Sequence, residues 1–392
     1  MTRLRDRSGR GMPHVFVFDD LLPDPAFGSG FTRPFSIVEA FLALGWRVTV
    51  WAKQNRGTGI DRALEARGVT VRLGESLDES AGDYLRRNCA DIDLFWCCRT
   101  HNSEAAAQIA AVLGDRRPRP HFVFDTEAIA ATREISYQKL LGVDISDRAE
   151  RMVREELRHA EGLGTIVVVN DLDRQSVESA IGKRPAVLGH RLAADPQPVP
   201  FEDRRGILFC GAIHEEQSPN LDSLLWYLRN VHPRVRDALH EATFRIVGYW
   251  NPSLTMPKIF KYANGVEFVG PVSDAGLTQE IAAARVFAAS TRYAGGIPYK
   301  VHYAMSLGLP AVVTPVLRRQ LAEAGVPPGD VPLLGPDGLD PAGFAEAVVR
   351  LHTDAGLWSD LRSRGLDYIG KHCSAKGYAE KIEKIVEYAI ID

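Results

Sequence analysis

Short runs of almost unbroken apolar residues alternate along the chain with longer stretches whose apolar positions recur every three or four residues. The first run, 14–18, leads into a polar, proline-containing loop over 19–27. Phe31, Phe35, Val38 and Leu42 then fall at helical spacing, which predicts a helix over 32–44 ended by Gly45. Runs at 48–52, 69–73, 92–97, 122–124 and 165–169 predict strands, with helices at 103–113 and 148–161 and a last short strand at 186–188. Strands apolar on both faces, separated by helices, indicate a parallel sheet covered on both sides.

The pattern breaks over 196–205 (PQPVPFEDRR), where proline and charge replace it. It restarts with strands at 206–210, 243–247, 266–269, 286–289 and 311–314, and with helices at 220–230, 277–284, 301–307, 341–351 and 375–390. The organisation expected is a tail over 1–12, an α/β domain over 13–195, a linker over 196–205, a second α/β domain over 206–374 and a final helix over 375–392 packing back toward the first domain. Two Rossmann-like parallel-sheet domains facing across a cleft would place ligands beyond the strands' carboxyl ends.

Composition narrows the picture. The 392 residues suffice for two cores, and a net charge of −3 without a basic tract argues against a nucleic-acid partner. Cysteines at 89, 97, 98, 210 and 373 form no CxxC pair, so a reducing cytoplasmic setting without structural zinc is expected. No apolar run reaches membrane-spanning length.

The richest chemistry lies at 290–310, STRYAGGIPYKVHYAMSLGLP. A strand ends in Ser290-Thr291-Arg292, two glycines follow at 295 and 296, and Pro298 and Lys300 open a helix that stops at Gly308. Exposed backbone amides, a helix start, a lysine and an arginine together attract phosphate. Gly28-Ser29-Gly30 looks at first like a dinucleotide fingerprint, but a nine-residue loop separates it from the strand and Arg33 takes the third glycine position. The two glycines allow close approach of backbone to a ligand; a plain flexible turn is the other reading.

These segments resemble the GT-B-fold, retaining glycosyltransferases grouped as family 4, the glycosyl transferases group 1 class. GILFCGAIHEEQSPNLDSLLWYL, FRIVG, VEFVGPVSD and RVFAASTRYAGGIPYKVHYAMSLGLPAVVT are similar to successive parts of their donor domain, and FDTEAIAATRE to part of their acceptor domain. The resemblance implies a nucleoside diphosphate sugar as co-substrate, with no other cofactor. Lys300 matches the position that holds the diphosphate. Gly295, Gly296, Ile297 and Pro298 would surround sugar and phosphates, with Arg292 and His214 nearby and Gly28, Ser29 and Gly30 facing them. One departure stands out. The family usually places a glutamate before the Ala-Met of this helix, where it holds the ribose; Tyr303 occupies that position here.

On the acceptor side, Asp20 ends the first strand, His101 follows the strand at 92–97, and Glu127 follows the strand at 122–124. Asp20 and Glu127 are the expected contacts to a glycan, a lipid-linked glycan or a small-molecule hydroxyl. Lys300, Arg292, His101 and Asp20 are the candidate catalytic groups. A lipid-linked acceptor would bring the protein to the inner face of the cell membrane. Asp171-Leu172-Asp173 has the letters of a metal motif but lies in the acceptor half, so no metal is expected. Epimerisation of a nucleotide sugar and non-catalytic binding remain open as alternatives.

Overall fold

The computed structural model describes residues 11–74, 79–115 and 118–391. They form two compact units. The first comprises the described residues up to Ile135, Asp144–Arg191 and those from Ala375 onward; the second comprises Ser136–Val143 and Leu192–Ser374.

The first unit is built on seven parallel strands: β1 (His14–Leu21), β2 (Arg47–Gln54), β3 (Thr70–Leu73), β4 (Leu94–Cys98), β5 (His121–Asp125), β6 (Thr165–Val168) and β7 (Ala186–Val187). Their order is β3-β2-β1-β4-β5-β6-β7, reversing between β1 and β4. Alternation along β1 explains its unbroken apolar sequence. Val15 and Val17 enter one core with Val38 and Phe41 of the helix Ser29–Ala43. Phe16 and Phe18 enter the other, with Leu85, Ile109 and Leu157 from three helices on the opposite face. The helix Ala375–Ile391 completes the first core with Tyr378, Ile382, Ile385 and Val386. Ile382 is fully buried. Its replacement by alanine is expected to cost about 2–5 kcal/mol, read as a lowered midpoint in urea unfolding.

The second unit carries β8 (Ile207–Cys210), β9 (Phe244–Val247), β10 (Val266–Gly270), β11 (Val286–Ala289) and β12 (Ala311–Val313), all parallel, in the order β10-β9-β8-β11-β12. The sheet reverses direction of growth between β8 and β11, the place where open α/β sheets bind ligands.

Several elements go beyond the apolar pattern. The helix expected at 220–230 begins at Pro219 and runs to Trp226, then passes through a π turn, Tyr227–Val231, into His232–Ala238. Helices Ala130–Leu140, Asp171–Ile181 and Pro315–Leu321 are additional. The largest addition is the helix Ala355–His372. Asp354 alone separates it from Pro341–Thr353, and its carboxylate accepts the Leu357 amide at 2.9 Å as the cap. Among the described residues no helix is long and apolar enough to cross a membrane.

Candidate functional site

In the second unit, two loops leave the adjacent strands β8 and β11. After β8, Gly211 is followed by Ala212, Ile213 and His214, and the chain then enters the helix Pro219–Trp226. Ser218 caps this helix by accepting the Asn220 amide at 3.2 Å, and Pro219 takes the first helical position. After β11, residues 290–298 lead into the helix Tyr299–Ser306. Gly296 sits at φ 70°, a left-handed conformation that glycine adopts without strain. The loop is tied down by Gln320, whose amide donates to the Ala294 carbonyl at 3.0 Å, and by Tyr293, whose hydroxyl donates to the Gln217 carbonyl at 2.6 Å.

Lys300 lies half-buried between the two loops. Its Nζ donates to Asn220 Oδ1 at 2.6 Å and sits 4.4 Å from the centre of the Phe209 ring. Burial lowers its pKa to about 8, since desolvation disfavours the ammonium. Backbone packing beneath it is close. A Cβ on Gly211 would meet the Asn220 amide at 2.8 Å, and one on Gly248 would meet the Gly211 carbonyl at 2.2 Å.

The remaining donor-side candidates fall into distinct environments. Arg292 is not a solitary cation: its Nε donates to Asp222 at 2.9 Å and its Nη2 to the other carboxylate oxygen. His214 is exposed, its ring 5.3 Å from that of Tyr249, and its carbonyl accepts from Asn251 at 2.8 Å. Tyr303 stacks on Tyr299 with ring centres 5.8 Å apart, and its hydroxyl lies 3.4 Å from Thr278 Oγ1. His302 is buried and faces the Leu321 carbonyl at 3.2 Å, so it belongs to the core of the unit. Ile297 and Pro298 are both half-buried, and Pro298 is the residue immediately before the helix.

The first unit gathers a second polar cluster at the carboxyl ends of β1, β4 and β5. Arg33, 3% exposed, donates to Asp125, which is fully buried, at 2.7 Å and to Glu127 at 3.3 Å. Arg99 donates to Asp19 at 2.9 Å and to the Gly30 carbonyl at 3.0 Å, lies 3.5 Å from Glu127 and stands 5.0 Å from the Phe31 ring centre. His101 is 3.1 Å from Asp20. Burial pushes Asp19 well above the usual carboxylate range. It would raise Asp20 too, but hydrogen bonds with Asp19 and His101 hold Asp20 below that range. Burial raises Glu127 to about 7 against the pull of Arg33 and Arg99.

Arg99 and Glu127 are the two non-glycine residues at positive φ among those described, at 76° and 58°. Asp125 holds both: its carbonyl accepts the Arg99 amide at 2.7 Å and its carboxylate the Glu127 amide at 3.1 Å. Paired outliers at strand ends are typical of built sites.

The structure therefore brings Lys300 and Arg292 together in one unit and Asp20, His101 and Glu127 together in the other. Gly28, at φ 104°, precedes the helix Ser29–Ala43, and Gly30 serves through its carbonyl to Arg99; both lie in the first unit. The side chain of Ser29 lies outside the described residues. Asn220, Asp222, Arg33 and Asp125 escaped the sequence reading. A signal existed for Arg33, a charge four residues before the buried Ile37 on the apolar face of its helix. Another existed for Asn220 and Asp222, polar residues in the first turn announced by Ser218-Pro219.

Asp171 and Asp173 form the first turn of the helix Asp171–Ile181, with Asn170 accepting the Asp173 amide at 2.8 Å. Among the described residues no group of three or more His, Cys, Asp or Glu is placed to hold a metal ion. Asp173 is buried, accepts from Thr132 at 3.1 Å, and burial raises its pKa from 3.8 to about 7. Because the folded value lies above the unfolded one, its contribution to stability is full below pH 3.8 and is lost as the pH rises through 7. Asp173→Asn is expected to flatten that fall, measured as unfolding free energy against pH.

Comparisons with known proteins agree with the two-unit fold. Residues 204–354 match the family model described as glycosyl transferases group 1. No curated protein matches the chain by sequence. Among solved structures, Anabaena HepE, determined with UDP and glucose, is similar at a TM-score of 0.63 and 11% identity over 96% of this chain and 99% of that one. The sucrose-phosphate synthase of Thermosynechococcus elongatus gives 0.67 and 13% over 97% and 99%. A variant of S. aureus TarM, in complex with Fondaparinux, alpha-GlcNAc-glycerol and UDP, gives 0.69 and 9% over 96% and 100%. The chain thus has the GT-B fold, and its residues 204–354 match the glycosyl transferases group 1 model.

Proposed function

We propose that the protein transfers a sugar from a nucleoside diphosphate sugar to a hydroxyl of a glycan, a lipid-linked glycan or a small molecule, with retention at the anomeric carbon. The observation that carries this reading is Lys300, half-buried beside the Gly295-Gly296 loop and fixed on Asn220, inside the segment matched by the group 1 model. Breaking the anomeric C–O bond leaves negative charge on the diphosphate. A preorganised ammonium, an arginine and backbone amides stabilise that charge more in the transition state than before it. HepE and TarM were determined with UDP, so uridine diphosphate sugars are the first donors to test. The polar cluster of Asp20, His101 and Glu127 is the acceptor side of this reading. Glu127, held by Arg33 and Arg99 at the end of this cluster with burial pushing its carboxyl above the usual range, is the expected contact to the acceptor hydroxyl. We place the protein in the cytoplasm, meeting a lipid-linked acceptor at the inner membrane face.

Incubation with a panel of nucleotide sugars, with nucleotide release as the readout, tests the proposal. Slow donor hydrolysis that disappears in Lys300→Ala supports it. Tyr303 favours a second reading, non-catalytic nucleotide-sugar binding, because a phenol near Thr278 stands where the resemblance leads one to expect a glutamate. Tight donor binding without turnover across donors and acceptors would establish that alternative. A changed sugar nucleotide without acceptor would indicate epimerisation.

A further inference from the structure

Four side-chain links fasten the start of the helix Pro219–Trp226 to the loop that follows β11. Tyr293 donates to the Gln217 carbonyl just ahead of the helix, and Ser290 Oγ lies 2.8 Å from Ser223 Oγ. Between these, Asp222 takes Nε and Nη2 of Arg292, and Asn220 takes Nζ of Lys300.

Asn220 is itself fixed. Its Nδ2 donates to the Ala212 carbonyl at 2.8 Å, which leaves Oδ1 to face the lysine. Gly211 leaves room for that amide, since a Cβ there would meet it at 2.8 Å. Arg292 commits two nitrogens to Asp222 and leaves Nη1 without a protein acceptor among the described residues.

We propose that Asn220 and Asp222 are positioning residues that present Lys300 and Arg292 to the diphosphate of the donor, each in a different way. The inference rests on the donor-site reading above. Asn220 restrains the ammonium with an uncharged acceptor, so the lysine's charge stays uncancelled until phosphate arrives. Asp222 uses the planar fork of the guanidinium, holding one edge and leaving Nη1 for an anion. An aspartate at 220 would instead neutralise Lys300 and oppose the incoming phosphates. The Cys210 thiol acts on Lys300 electrostatically, and burial raises the pKa of that thiol; Asp222 and Arg292 are paired with each other.

The test uses the full chain with Asn220→Asp, Asn220→Ala and Asp222→Asn. UDP, GDP and ADP serve as probes in calorimetry, and the side-chain resonances of labelled lysine report the Lys300 titration. Asn220→Asp is expected to raise the Lys300 pKa and weaken nucleotide binding at pH 7 by roughly tenfold or more. Asn220→Ala is expected to weaken binding less, and it keeps the test available where the aspartate variant unfolds. Asp222→Asn weakens binding without moving the lysine titration by as much. Wild-type protein that binds a probe, with variants indistinguishable from it in affinity and lysine titration, overturns the proposal alone. Wild-type protein that binds none of the three nucleotides overturns the donor-site reading, and this proposal with it.

Discussion

Lys300→Ala is expected to lower the rate of nucleotide release from the donor by about 10²–10³-fold, the loss typical when one preorganised group that stabilises developing oxyanion charge is removed. The size of the effect follows from the surroundings. Lys300 lies over the Phe209 ring and against Asn220, poorly hydrated, so its charge acts through a medium less screening than water. The same burial that lowers its pKa to about 8 sets a pH limit. Diphosphate binding favours the protonated lysine, so donor affinity should fall as the pH rises through 8, and that limb should vanish in the alanine variant. Lys300→Arg is not a conservative control, because a planar fork cannot occupy the point position held against Asn220. It should recover only part of the lost rate, measured as nucleotide released per enzyme at saturating donor.

Arg33→Ala is expected to destabilise the first unit by about 3–5 kcal/mol, since it strands a buried carboxylate without its cation. Arg33 and Asp125 are almost wholly enclosed, and the guanidinium also donates to the Leu188 carbonyl at 3.0 Å. Urea unfolding of the full chain, followed by the fluorescence of Trp96 in this core, reads the change. Replacing both partners with apolar residues, Arg33→Met with Asp125→Leu, should recover part of the loss, because no unpaired charge then remains. Recovery stays incomplete. Asp125 also accepts the Glu127 amide, and without it the positive φ of Glu127 loses its restraint.

The contrast between these two sites shows what a linear chain discloses. The strands were readable because sheets covered on both faces demand residues such as Val15 to Phe18 in unbroken runs. Lys300 was readable because its helix start, its glycines and its charge are contiguous. Asn220 stands 80 positions away from the lysine, and Asp125 stands 92 from Arg33, so their roles exist only after the chain has folded. The helix Ala355–His372 was obscured differently. Trp358 and Leu361 serve one core and Tyr368 and Ile369 another, so its apolar positions trace two faces rather than one stripe. Its glycines at 356, 365 and 370 weaken the local preference further.

The path of the chain has a consequence for biosynthesis. The core of the first unit is closed by Tyr378, Ile382, Ile385 and Val386, which a ribosome delivers only after the whole second unit. The domain begun first is therefore finished last. During translation the part of its apolar core that this last helix covers waits open while Leu192–Ser374 of the second unit is made, and chaperones that recognise exposed apolar strands have their longest opportunity there.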